Sequence, residues 1–202
     1  MRITLTRGKI LLLLSGLLLT FFLASPSASA TTPAHHGRLS GTTTVTTAPG
    51  VVATLIKAGV LPLPARDTGF SLGYRHGLSA RYGFPITGGN PDLANGAGDI
   101  LHAGGITFVG RHARLQVTNF DIDLAAGKVF ATKVNGASAR VALLDLDLSK
   151  LKVATGRGTT TLSGIGLKLD PAGAGALNAT FGLTLPTDGS LAFGTATVTL
   201  HS

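Results

Sequence analysis

The chain has 202 residues, 17 Lys and Arg against nine acidic residues, 28 Gly, no Cys and no Trp. The absence of Cys excludes a disulfide-stapled miniprotein and a thiolate metal site. All nine acidic residues are Asp, and the lack of Glu, a strong helix former, together with abundant Gly, Thr and Val favours β-structure over a helical bundle.

The N-terminus predicts a secretory signal peptide over residues 1–30. Basic residues come first, followed by the apolar run Ile10 to Ala24 and then by the small residues Ala28-Ser29-Ala30. The alternative is an uncleaved anchor, but this run of 15 residues, broken by Ser15 and Gly16, is shorter than the roughly 20 apolar residues that a membrane-spanning helix needs. We therefore expect cleavage after Ala30 and a secreted protein with no stable transmembrane segment.

Loss of that peptide removes three basic residues and lowers the formal charge from +8 to +5. The remaining basic residues are scattered, so the sequence predicts no nucleic-acid partner. Residues 31–41 lack apolar periodicity and predict a flexible leader before a single domain at 42–202. The pair His35-His36 in this leader lacks a third ligand nearby and makes a weak metal site at best.

Along the domain, two short helices and about ten strands are predicted. Pro49 and Gly59 bound a two-turn helix, the Pro-containing segment 61–65 predicts an edge segment or crossing loop, and Pro171 opens a second helix with Asp170 as its N-cap. The strand patterns fall at 42–47, 70–74, 78–84, 100–109, 115–124, 129–134, 141–148, 159–169 and 191–200.

Two local features sharpen these patterns. A phase slip at Asn119 predicts a bulge in the strand 115–124, and Asn135-Gly136 predicts a tight hairpin because both turn residues need positive φ. Short strands at regular spacing predict an all-β fold, namely an immunoglobulin-like or related β-sandwich with one or two short helices.

The segments 98–108, 115–124 and 169–178, with the closing Gly194-Thr195-Ala196, resemble secreted actinobacterial β-rich proteins of unknown function. They are more distantly similar to HtaA-type haem-binding domains, in which a Tyr coordinates haem iron and a His supports it. That resemblance implies a haem site at His112 with Tyr74 or Tyr82, the two tyrosines of the chain. Haem is thus the one cofactor that the resemblance suggests.

Other chemistry is weakly indicated. Asp121-x-Asp123 and Asp145-x-Asp147 each place two carboxylates on one strand face, which suggests calcium, but the flanking apolar residues favour a strand with one wet face. His76, His102 and His112 are too scattered to predict a metal site. No His-Glu-x-x-His motif occurs, so we expect no enzyme.

The sequence therefore predicts a secreted, non-enzymatic and monomeric binding or structural module whose partner is an extracellular ligand or a cell-envelope component. An HtaA-type haem-binding protein is the first alternative, and a hydrolase of wall polymers is the second.

Overall fold

The computed structural model describes residues 39–74 and 77–201. The predicted signal peptide, its cleavage site, the pair His35-His36 and His76 lie outside these residues. The helices are α1 (Val51–Lys57) and α2 (Pro171–Phe181). The strands are β1 (Ser40–Thr47), β2 (Leu61–Pro64), β3 (Gly69–Gly73), β4 (Ser79–Gly89), β5 (Asp99–His102), β6 (Gly105–Val109), β7 (Arg114–Asp123), β8 (Lys128–Val134), β9 (Ala137–Asp147), β10 (Lys152–Gly156), β11 (Thr159–Leu169) and β12 (Ala192–His201).

Eight of these strands pair in a closed circuit. The order is β7, β5, β4, β1, β12, β11, β9 and β8, and β8 pairs back onto β7. Every pairing in the circuit is antiparallel, and it joins β1 to β12, the first and last described strands of the chain. Closure leaves these eight strands with no open end to the sheet, so the unsatisfied edge of an open sheet is avoided.

The all-β prediction is confirmed, but the two-sheet sandwich is not what the described chain forms. One continuous sheet contains all twelve described strands and closes through the β7–β8 pairing. Alternating side chains bury one face of each strand in either architecture, so the sequence pattern does not distinguish them. The first strand begins at Ser40, two residues before the predicted start of the domain.

The remaining strands extend the circuit at its margins. β6 pairs with β7 and carries β2 on its other side, while β3 pairs with β4 and β10 pairs with β11. The Pro-containing strand β2 has one partner, as expected of an edge strand. In the part of the chain that the structure describes, no helix is long and apolar enough to cross a membrane.

Several local predictions are confirmed in detail. Asn135 and Gly136 join β8 to β9 with φ of 50° and 84°, as the hairpin requires. The Asp170 side chain accepts a hydrogen bond from the Ala172 N–H and caps α2. The bulge predicted at Asn119 is absent from the β7–β8 pairing, whose register continues unbroken past this residue. Asn119 has φ of 56°, and here the burial of β7 changes phase and the other partner of the strand changes from β6 to β5.

The hydrophobic core lies inside the circuit. Alternate residues of β4 (Ala80, Tyr82, Phe84 and Ile86) are all at most 5% exposed and belong to one hydrophobic cluster with inward residues of the other strands. The helix α2 packs against β9 and, less extensively, against β7.

Candidate functional site

A cavity of about 170 Å³ lies among the inward-facing side chains of the closed circuit. Strands from all round the circuit contribute to its wall, which is aliphatic and aromatic almost throughout. Representative lining residues are Val45, Phe84, Ile100, Phe120, Ile165 and Val198. Such a wall favours an apolar occupant, because a polar group that entered it would lose its hydrogen bonds to water.

Two polar side chains in this wall, Thr43 and His102, are already paired. His102 Nδ1 lies 3.2 Å from the Phe120 carbonyl oxygen, and Nε2 lies 2.7 Å from Thr43 Oγ1. Since a carbonyl only accepts, Nδ1 carries the hydrogen and Nε2 accepts from the Thr43 hydroxyl. Burial lowers the pKa of His102 to about 4, so the imidazole is neutral at physiological pH.

One side of the cavity opens between three chain segments. Leu93 comes from the β4–β5 loop, Leu124 from the β7–β8 turn, and Leu148 and Leu151 from the connection between β9 and β10. These segments lie at one end of the circuit, because the Leu124 N–H donates to the Gly98 carbonyl at 3.0 Å and β9 pairs with the start of β8. We call these four leucines the mouth.

The mouth is apolar and accessible at the same time. Leu93, Leu148 and Leu151 are each 38% exposed although they line the cavity. Single exposed leucines are common on protein surfaces, but several that converge on one apolar opening are typical of a ligand entrance. No motif in the sequence marks these leucines. The available signal was the segment Leu148 to Val153, where the alternation of β9 breaks off.

The helix α2 contributes another part of the wall through Gly173, Ala176 and Leu177. Gly173 permits the close approach, because a Cβ atom there would lie 2.8 Å from the Leu143 carbonyl oxygen of β9. The position of α2 therefore depends on a residue without a side chain.

The three predicted haem residues differ in their exposure to solvent. Tyr82 is 1% exposed, its hydroxyl donates to the Pro62 carbonyl at 2.7 Å, and burial raises its pKa to about 12. Tyr74 follows β3 and is 83% exposed, whereas His112 is exposed in the turn between β6 and β7. No hydrogen bond or ring contact of the described residues joins any two of these three side chains.

Three of the four carboxylates that suggested calcium, Asp121, Asp123 and Asp145, contact protein cations. Arg140 contacts Asp121 at 3.2 Å and Asp123 at 2.9 Å, and its guanidinium lies 3.5 Å from the centre of the Phe130 ring. Within residues 39–74 and 77–201, no group of three His, Cys, Asp or Glu side chains is arranged to hold a metal ion.

Asp121 departs from the expected wet face, because it is only 9% exposed. Burial raises its pKa, against the opposing effect of Arg140, and its Oδ1 atom has no hydrogen-bond partner. The alternation of the strand correctly places this side chain opposite the cavity, but Arg140 and Phe130 cover that position.

A second cluster joins Lys128 to Asp145 and Asp170. The hydrogen bonds that Lys128 donates to both carboxylates raise its pKa. Burial alone would raise the pKa of Asp170, but hydrogen bonds from Lys128 and from the Ala172 N–H bring it below its usual value. The cluster ties β8, β9 and the start of α2 together at the outer surface.

Comparison with known proteins gives a distant structural likeness. The C-terminal domain of HtaA from Corynebacterium glutamicum is similar over 80% of this chain and 99% of that domain, with 19% sequence identity and a TM-score of 0.47. No protein-family model and no curated protein matches the chain.

Proposed function

We propose that this protein is an exported, monomeric and non-enzymatic binding protein that encloses the end of a single hydrocarbon chain. The observation that carries the proposal is the apolar cavity inside the circuit, with its leucine-lined mouth. Export rests on the basic, apolar and small-residue order of the N-terminus. The resulting partner is an extracellular or envelope molecule that carries an apolar chain.

The cavity volume sets the size of the occupant. A cavity of about 150 Å³ lined by aliphatic and aromatic side chains stays dry and takes up benzene. The present cavity, at about 170 Å³, therefore suits a group of about six carbon atoms. A haem macrocycle is far larger than benzene, so this volume favours a narrow chain whose remaining length extends through the mouth.

The two polar side chains of the cavity wall support a ligand that is held by apolar contacts alone. His102 has both ring nitrogens in hydrogen bonds, and Thr43 gives its hydrogen to one of them. Neither side chain offers an unused donor to a ligand, so affinity must come from burial of apolar surface. Each CH₂ group that leaves water contributes about 0.8 kcal/mol, which favours longer chains until the cavity is full.

Thermal unfolding in the presence of butanol, hexanol and decanol tests this function. We expect the longer alcohols to raise the melting temperature, since a ligand at about 100 times its Kd stabilises the native state by about 2.7 kcal/mol. Ala176→Leu, which adds volume at the cavity wall, should weaken this response. Ala179→Leu adds the same atoms at an exposed position of α2 and should leave it unchanged.

An equal response of both variants, or none in the parent protein, would count against the cavity as a binding site. Isothermal titration with decanol provides the second readout. It measures the affinity of the folded protein for decanol, which does not depend on the free energy of unfolding of the variant.

The HtaA-type alternative remains a separate prediction, with its haem held by Tyr74 or Tyr82 and His112. Tyr74 is the tyrosine whose side chain is open to solvent, whereas the Tyr82 hydroxyl is already bound to Pro62. A titration with haemin checks it, since coordination would produce a Soret shift that Tyr74→Phe removes. The second alternative, a hydrolase of wall polymers, stays a prediction from the sequence.

A further inference from the structure

The connection between β9 and β10, together with the first residues of β10, combines apolar and basic side chains at the mouth. Leu148 and Leu151 line the cavity, and Val153 is 56% exposed. Lys150 and Lys152 lie between them in the sequence and are exposed. We call residues 148–153 the mouth segment.

The local pairing explains why these apolar side chains are not covered. β9 pairs with β11 up to Asp147, and β10 resumes pairing with β11 at Lys152. Between these points the chain leaves the sheet, and β10 has no strand on its other side within the described residues. The chain between β9 and β10 is consequently unpaired and carries apolar side chains on its surface. Exposed apolar surface of this kind marks an interaction site.

The basic side chains of the mouth segment differ in their partners from two other cations of the sheet, Lys128 and Arg140. Lys128 and Arg140 each contact two carboxylates. By contrast, the structure records no ion pair within 4 Å for Lys150 or Lys152 in the described part of the chain.

The acidic residue nearest in sequence, Asp147, accepts a hydrogen bond from the Ser149 N–H, and Lys150 and Lys168 contribute to the lowering of its pKa. Within residues 147–153, one carboxylate therefore lies beside two positive charges. Arg157, at the tip of the β10–β11 hairpin, adds another on the same β-ribbon.

We infer that the mouth segment and Leu93 dock the protein on an anionic lipid surface, a role that rests on the proposed function. Leucine side chains that enter the boundary between headgroups and acyl chains gain apolar burial, while adjacent lysines attract lipid phosphates. The cavity mouth would then face the hydrocarbon reservoir. An apolar chain could pass between membrane and cavity without crossing water, where its solubility is lowest.

Co-sedimentation of the purified protein with vesicles tests this inference. One set of vesicles contains phosphatidylcholine alone, and the other also contains phosphatidylglycerol. We expect stronger binding to the anionic set, with a marked loss at high salt. The double variant Lys150→Ser, Lys152→Ser should bind about 30-fold more weakly, since each lysine near an anionic surface contributes about a factor of five.

The matched control is the double variant Lys57→Ser, Lys133→Ser, which has the same net charge. Lys57 ends α1 and Lys133 lies near the end of β8 remote from the mouth, and both are exposed. This variant should bind anionic vesicles nearly as well as the parent protein. Leu151→Ser should weaken binding even at low salt, because it removes apolar burial and no charge.

Three results would overturn the inference: no binding of the parent protein to anionic vesicles, equal losses in the two lysine variants, or equal binding to neutral and anionic vesicles. The alcohol titration separates this inference from the proposed function. Decanol binding without vesicle binding refutes the membrane surface alone and leaves a protein partner at the mouth. Vesicle binding without decanol binding refutes the cavity function.

Discussion

His102 links the chemistry of one side chain to the stability of the fold. Burial lowers the pKa of this imidazole from 6.5 to about 4, against the opposing effect of its bond to the Phe120 carbonyl. Because the folded-state pKa lies below that of the unfolded chain, the unfolded state binds the proton first. The stabilisation is complete above pH 6.5 and falls as the pH drops toward 4.

We therefore expect the free energy of unfolding to fall by about 3 kcal/mol between these pH values, as a shift of this size implies. His102→Gln should flatten that part of the profile, as measured by urea denaturation at a series of pH values. His112→Gln changes an exposed histidine and serves as the control. A slope that survives His102→Gln would show that the acid sensitivity has another origin.

Among the secondary-structure elements, α2 depends most visibly on one side chain. Asp170 caps its first turn through the Ala172 N–H at 2.7 Å and also binds Lys128, which joins the helix to β8. Asp170→Asn keeps a capping oxygen and loses the charge, whereas Asp170→Ala loses both. We expect the alanine variant to be less stable than the asparagine variant by about 1 kcal/mol in urea denaturation.

Equal stability of the two variants would mean that the charge on Asp170, and not its cap, holds α2 in place. Because α2 lines the cavity through Ala176 and Leu177, loss of the cap should also weaken alcohol binding. The exposed Asp188, whose Oδ1 atom accepts from the Ser190 N–H, provides the matched Asp→Ala control outside a helix.

For the whole molecule, the cavity predicts a pronounced sensitivity to pressure. Unfolding under pressure is driven by the loss of internal voids, and its volume change scales with the void volume. Ala176→Leu should make the volume change of unfolding less negative by roughly 20 mL/mol or more, whereas Ala179→Leu should not alter it. High-pressure fluorescence with an added apolar dye measures both. An unchanged value in Ala176→Leu would indicate that the wall rearranges around the larger side chain.

Local sequence determined the features whose causes lie within a few residues. Asn135-Gly136 specified a hairpin because these residues accept positive φ, and Asp170-Pro171 specified the start of a helix because a carboxylate can cap the first turn. The alternation of apolar residues also identified which side chains of β4 and β7 share a buried face. These predictions required no knowledge of distant parts of the chain.

Only the tertiary structure decided that the sheet closes. The cavity and the mouth exist because it closes. Alternation tells which side chains share a face, but it does not tell which strands are neighbours. The pairing of β1 with β12 and with β4 follows from the packing of the whole circuit. For the same reason Leu93 and Leu151, which lie 58 positions apart in the sequence, meet at one opening.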